Sequence, residues 1–374
     1  MPRRRLTIVV GLAGLALAAL ALSAGGASAT PAAPAPLAQG VDNETCLACH
    51  TQPDMRTTLP SGEELFLTID RDVYNSSVHG EGGYACVQCH IGYAGFPHEP
   101  IQVQTRREYS VRQATSCSRC HQQQHEQTLV NAHGQAQAAG KVEAAVCTDC
   151  HGAHNVESFE EKPRSAIPQT CQKCHSEIYA LYEDSVHGAA LIGEGNPDVP
   201  ACTDCHGTHT VEGPSSVERF RLHSPEICAR CHADKELMAK YGISTEVFET
   251  YLSDFHGKTV LFQASVPGQE TNKPVCIDCH SVHNILPPAD PASTVNIQQN
   301  LLTTCQKCHP GAQENFPAAW LGHYSPSREN APLVYFVDLF YKIFIPSVLG
   351  VMVVFVVTDA ARRILNRRKG QGHE

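Results

Sequence analysis

All 18 cysteines of this chain fall in one five-residue pattern, Cys-x-x-Cys-His, written nine times. In order the copies are Cys46–Cys49–His50, Cys86–Cys89–His90, Cys117–Cys120–His121, Cys147–Cys150–His151 and Cys171–Cys174–His175. Then come Cys202–Cys205–His206, Cys228–Cys231–His232, Cys276–Cys279–His280 and Cys305–Cys308–His309. An even cysteine count in an exported chain suits a disulfide scaffold, and paired Cys-x-x-Cys suits structural zinc. Neither use requires a histidine after the second cysteine every time, and neither explains why no cysteine lies elsewhere.

Covalent haem attachment requires both features. Two thiols add to the two vinyl groups of one porphyrin, so their spacing must match its edge. The adjacent imidazole then lies under the iron as the proximal ligand. The sequence therefore predicts nine covalently bound haem c groups. The rest of the composition agrees. Aromatic residues make up 6% of the chain, with one tryptophan, which is little for a conventional core of this length. Porphyrin faces supply the missing apolar bulk, and the fold is expected to depend on them.

Of the 21 histidines, nine outside the motifs form a second pattern. Odd-numbered motifs are followed by a histidine that precedes glycine: His79, His133, His187 and His256. Even-numbered motifs are followed within a few residues by another: His154, His209 and His283 in CHxxH, and His98 in the looser CHIGYAGFPH. His323 follows the ninth motif. Nine irons and nine such histidines predict two imidazole ligands per iron, which suits electron transfer and leaves no open site for substrate. A CHxxH histidine is too close to its own proximal histidine to reach round the same porphyrin, so it is expected to serve a neighbouring haem. The glycine after the other ligands is expected to let backbone pass close to a porphyrin. His125, His223 and His373 fit no pattern and are read as non-ligands.

The chain thus divides into two-haem repeats at 46–116, 117–170, 171–227 and 228–304, with a final haem at 305–323, together a nonahaem domain over 46–323. Residues 1–29 run from a basic head through an apolar stretch to Ala27–Ser28–Ala29, the order of a cleaved signal peptide. Residues 30–45 form a Pro/Ala-rich leader. Leu333 to Val357 is apolar apart from Asp338 and Lys342 and reaches roughly 38 Å as a helix, enough to cross a bilayer. Asp338 and Lys342 are spaced to pair. The basic tail, 358–374, predicts a cytoplasmic C-terminus and a haem domain on the periplasmic or extracytoplasmic face of the cell membrane. The formal charge is −10, and both basic ends lie outside the haem domain, which is more acidic still. That argues against nucleic acid as a partner.

The units CTDCHGAHNV, CTDCHGTHTV and CIDCHSVHNI, alternating with SVHG segments, resemble the doubled-CxxCH, cytochrome c3-like multihaem cytochromes c. The closing FPAAWLGHYSPS, single span and basic tail resemble the c-type subunits that associate with membrane cytochromes b. The resemblance implies a mostly α, haem-packed fold with extensive loops and one C-terminal membrane helix. It also implies bis-histidine iron, and electron exchange between the quinone pool, through a cytochrome b-like or other quinone-linked subunit, and soluble or extracellular redox partners. The long linker between Cys228 and Cys276 departs from the compact unit. An enzyme acting on a small nitrogen or sulfur compound is the competing reading. It needs an iron with an open distal position, and no CxxCK variant is present. A quinol dehydrogenase acting alone fits less well, because one helix offers little room for a quinol pocket.

Overall fold

A computed structural model describes residues 42–212, 217–264, 273–317 and 322–370. The expected signal peptide and most of the leader lie outside these residues, as does His373.

The chain is mostly helical, with short helices joined by long loops and one two-stranded antiparallel hairpin, Arg56–Thr58 with Glu64–Phe66. Buried apolar side chains are few and scattered, among them Leu47, Leu59, Leu191, Met238, Val260 and Val275. No continuous side-chain core joins them. A single void of about 3520 Å³ runs through the array instead, lined by residues from the first eight motifs. That is several times the roughly 300–1,000 Å³ of an ordinary small-molecule site.

The helices follow the two-motif repeat. Each odd motif lies at or near the end of a helix, as in Asn43–His50, Ala166–Gln172, Val217–His232 and Leu301–Gln306. In the second unit, Arg106–Ala114 leads into a 3₁₀ turn, Thr115–Arg119, that holds Cys117. Each even motif is itself a short helix: Cys86–Cys89, Cys147–His151, Cys202–His206 and Cys276–His280. Between them the histidine–glycine pairs open further helices, Val78–Glu81, Ala132–Ala138, Val186–Gly188 and Phe255–Ala264.

The last helix begins at Pro332 and runs unbroken to Gly370, passing through Pro346. It includes the expected span and continues into the basic segment, which is therefore helical as far as Gly370. At about 1.5 Å per residue it is roughly 58 Å long, well beyond a hydrocarbon core of about 30 Å. Its most apolar window has a mean hydropathy of 2.2 and none of it is buried against the rest of the chain. Asp338 and Lys342 pair at 2.7 Å, as their spacing predicts.

Candidate haem-binding array

Every CxxCH histidine faces one histidine from the second pattern. The pairs are His50 with His98, His90 with His154, His121 with His79, His151 with His209 and His175 with His133. The remaining four are His206 with His283, His232 with His187, His280 with His323 and His309 with His256. Ring centres lie 5.7–6.3 Å apart in all nine. An imidazole nitrogen sits about 2 Å from a metal ion it binds, so two rings facing across one ion have centres about 6 Å apart. The donor sets fit a six-coordinate haem iron.

Seven of the nine pairs follow one offset of two motifs. A histidine–glycine residue that follows motif n faces the proximal histidine of motif n+2. A CHxxH histidine inside motif n faces that of motif n−2. His256 obeys the first rule, so the long linker after Cys228 leaves the register intact. His98 and His323 depart from both rules, each facing the motif one before the motif it follows: His98 faces His50 of the first motif, and His323 faces His280 of the eighth.

Local structure explains the turn. In CHGxH, Gly152 and Gly207 end the motif helix at φ 78° and 80°, a region open to glycine and strained for most residues. Ser281 takes the same conformation at φ 68°. That reversal swings the following histidine away from its own motif. The second motif has Ile91 at this position, and a β-branched residue there resists the left-handed turn. The chain instead runs on through a loop to His98, which faces His50 of the first motif.

The glycines after His79, His133, His187 and His256 have a different role from the one expected. A Cβ at Gly80, Gly134, Gly188 or Gly257 would collide with the carbonyl oxygen of Tyr74, Thr128, Tyr182 or Tyr251. The close approach is to the preceding helix, six residues back, where no side chain fits. Ser77, Asn131 and Ser185 cap these helices, accepting from the glycine N–H at 2.8–3.0 Å. One residue further, the backbone N–H groups of Val78, Ala132 and Val186 donate to the carbonyls of Val156, Val211 and Ile285 at 2.8–2.9 Å. Each histidine–glycine segment is thus stitched to the chain just past a CHxxH histidine of the next unit.

Within units, a set of residues not marked by the sequence reading joins odd to even motifs. Asp149, Asp204 and Asp278, the third residues of CTDCH, CTDCH and CIDCH, cap their own helices by accepting from Val146, Ala201 and Val275. The same carboxylates receive Arg107 and Arg221 from helices that lead into the odd motifs, and Arg164 from the turn just before such a helix. Arg107 meets Asp149 with one nitrogen at 2.9 and 3.0 Å. Arg221 uses two nitrogens on Asp278, at 3.2 and 2.6 Å. In the first unit Gln88 replaces the aspartate as cap, and Asn43 accepts from the Cys86 N–H at 2.8 Å. An arginine seven residues before Cys171 and before Cys228 was a visible signal, but one drifting to ten before Cys117.

Cysteines mark the order of motifs in space. Cys46 lies beside Cys86, Cys117 beside Cys147, Cys171 beside Cys202 and Cys228 beside Cys276. Between units, Cys89 lies near Cys120, Cys150 near Cys171, Cys205 near Cys228 and Cys279 near Cys305. Neighbours in sequence are neighbours in space. None of the 18 cysteines is in a disulfide. Among the described residues no three His, Cys, Asp or Glu side chains converge on a metal-sized site, so the four-ligand zinc alternative has no structural counterpart.

Burial favours the neutral form of some of these imidazoles. His90, His187 and His280 are pushed down to about 4 by burial, with their facing histidines adding to the effect. A neutral ring offers the lone pair a metal needs. The Nδ1 of His50 lies 2.8 Å from the Leu67 carbonyl. Donation to that oxygen fixes the ring and leaves Nε2 free to ligate. Of the unpatterned histidines, His125 lines the void without facing a motif histidine, and His223 pairs with Glu226.

Residues 141–233 match the family Cytochrome c3. The matched segment holds the fourth to seventh motifs and covers less than half of the chain. No curated protein matches. The cytochrome c3 match supports covalently bound haem c and multihaem electron transfer, and it coincides with the most regular repeats.

Proposed function

We propose that this protein is a membrane-anchored carrier of electrons that binds nine haem c groups, one at each CxxCH, with both axial positions of every iron filled by the histidine pairs described above. The observation that supports this is the complete matching of nine motif histidines to nine facing histidines. Bound haem c supplies a one-electron iron couple whose axial ligands stay in place. The cysteine pairs fix each porphyrin edge and the facing imidazoles set the iron's orientation. The Arg–Asp contacts hold odd and even motifs together, and the histidine–glycine latches hold successive units. The serial order gives a path from the first motif to the ninth. An enzyme with an open iron would need a motif histidine without a partner, and each of the nine has one.

Residues 1–29 direct export, and the helix from Pro332 anchors the chain with its basic end in the cytoplasm. The array then lies on the extracytoplasmic side. At its membrane end it exchanges electrons with a cytochrome b-like or other quinone-linked subunit, and at its far end with a soluble or extracellular partner. His323 is nine residues from the start of the span, and extended chain covers no more than about 3.6 Å per residue. The eighth motif, through His280 and His323, is therefore tied to the membrane surface together with the ninth.

Two measurements test the reading on full-length protein matured with haem. Intact mass shows nine haem additions, and electron paramagnetic resonance of the oxidised protein lacks a stoichiometric high-spin species. Fewer additions, or a full high-spin equivalent at neutral pH, would contradict it. His323→Ala tests the entry point: quinol-driven reduction through the membrane partner slows by at least about tenfold, an effect of about 1.4 kcal/mol on the barrier, while dithionite still reduces every haem. Quinol reduction at the parent rate would show entry elsewhere.

A further inference from the structure

We infer that the first motif is the array's one site for an exogenous ligand, a small neutral molecule such as carbon monoxide or nitric oxide, which binds the reduced site by displacing His98. This rests on the two-imidazole reading above and adds to it a difference among the nine facing histidines.

Eight of them are held by their surroundings. His79, His133 and His187 sit on capped helices whose first N–H groups are bonded to the next unit. His256 lies on the longer helix Phe255–Ala264, with Asp254 beside its ring at 3.9 Å. His154, His209 and His283 stand three residues beyond a histidine of a covalently anchored motif. His323 is half-buried, and its Nδ1 is shielded from solvent.

His98 differs on each count. It is the only exposed member of the nine. It sits at the end of an irregular loop containing Gly92 and Gly95, eight residues past His90. Among the described residues, no hydrogen bond involves 94–100. Ring contacts alone hold the imidazole: His50 at 6.2 Å, Tyr93 at 5.6 Å and Phe96 at 6.3 Å. Phe96 is itself 87% exposed and so gives little anchorage.

An incoming ligand gains access in proportion to the fraction of time the protein ligand is away. A segment with few buried contacts and no backbone bonds opens most easily. Opening seven of the other positions breaks helix caps or inter-unit bonds, or strains a covalently tethered turn, and opening His323 exposes a half-buried ring. Opening the His98 loop breaks none of these. The wall favours a neutral ligand. Tyr93, Ala94, Phe96 and Ile101 line the void there, and Glu99 is the only charged residue of the loop. A carboxylate beside the entrance disfavours anions such as cyanide or azide.

The test is carbon monoxide uptake by dithionite-reduced, fully haem-loaded protein, followed in the Soret band. The parent binds one equivalent per chain. His98→Ala still binds one equivalent, faster, and its oxidised form gains one high-spin haem that added imidazole returns to low-spin. His154→Ala, opening a second site, binds two. Insertion of Gly-Gly between Gly95 and Phe96 keeps His98 and the exposed loop, and raises the uptake rate by about tenfold through a larger open population. That variant carries the test if His98→Ala fails to mature. No uptake by the parent, an unchanged rate in the insertion variant, or two equivalents in His98→Ala each overturn the inference while leaving the nine-haem reading standing. A high-spin haem in the parent that His98→Ala leaves unchanged overturns both.

Discussion

Gly188 shows how little freedom single positions have. Its missing side chain lets the helix Val186–Gly188 lie against the Tyr182 carbonyl, and that contact aims His187 at His232. Gly188→Ala is expected to push the helix off its seat, costing about 1–3 kcal/mol as other overpacked sites do. One oxidised haem should become high-spin, seen by paramagnetic resonance. Ala189→Gly, next door, should leave the spectrum unchanged. The neutral histidines give a pH dependence. Burial holds His90, His187 and His280 at about 4, below the roughly 6.5 of an unfolded chain. The unfolded chain therefore takes up protons between these values that the folded one does not. The stability these groups contribute is complete above about pH 6.5 and falls as pH drops towards 4. Denaturant midpoints should decline through that window. The low-spin spectrum should survive at pH 5 and give way only at or below about 4. High-spin iron growing in at pH 6 would show that these rings are not protected.

Among elements, the contact between an odd-motif helix and an even-motif helix is polar and repeated. Arg107 is 18% exposed and Asp149 35%, so this bridge is screened less than a surface pair. Arg107→Ala strips Asp149 of its charged partner and the Val142 carbonyl of a 2.7 Å donor. A loss of about 1.5–3 kcal/mol is expected, the range for hydrogen bonds to charged groups. It should appear as a lower denaturant midpoint. Arg107→Lys should recover only part, because an ammonium cannot reproduce the guanidinium's several fixed donors. Equivalent loss in Arg107→Ala and Arg164→Ala would argue against this account, since the second bridge is over 40% exposed on both sides and should be worth less.

For the whole molecule, stability and anchorage separate. The helix Pro332–Gly370 buries no side chain of its apolar window against the haem-binding array. Ending the chain at Ala331 should therefore release a soluble protein with an unchanged haem spectrum. The full chain should stay with membranes through a carbonate wash. Retention of the shortened form would mean that another surface holds it. The offset pairing also makes the array interdependent: each unit supplies facing histidines to its neighbours, and only the first motif finds its partner inside its own unit.

CxxCH spacing is local chemistry: two thiols and an imidazole must meet one porphyrin edge. It could be read directly, and so could the eighteen histidines, the poor side-chain core, the mostly helical character and the apolar C-terminal helix. The partner of each motif histidine could not. Rings that face each other are separated by up to 77 residues, as His206 and His283 are, and the path between each pair passes at least one other motif. His323 was placed with the ninth motif because it follows it, yet it faces His280. The glycines were legible as close approaches, but the approaching group, a carbonyl six residues back, depends on how two helices meet. The arginine–aspartate contacts were hidden because either residue alone looks like a solvated charge. Sequence determined which groups each site needs, since those are fixed by bonds within five residues. Tertiary structure decided which sites share them, because that depends on turns such as those at Gly152 and Gly207 that carry each histidine across to another unit.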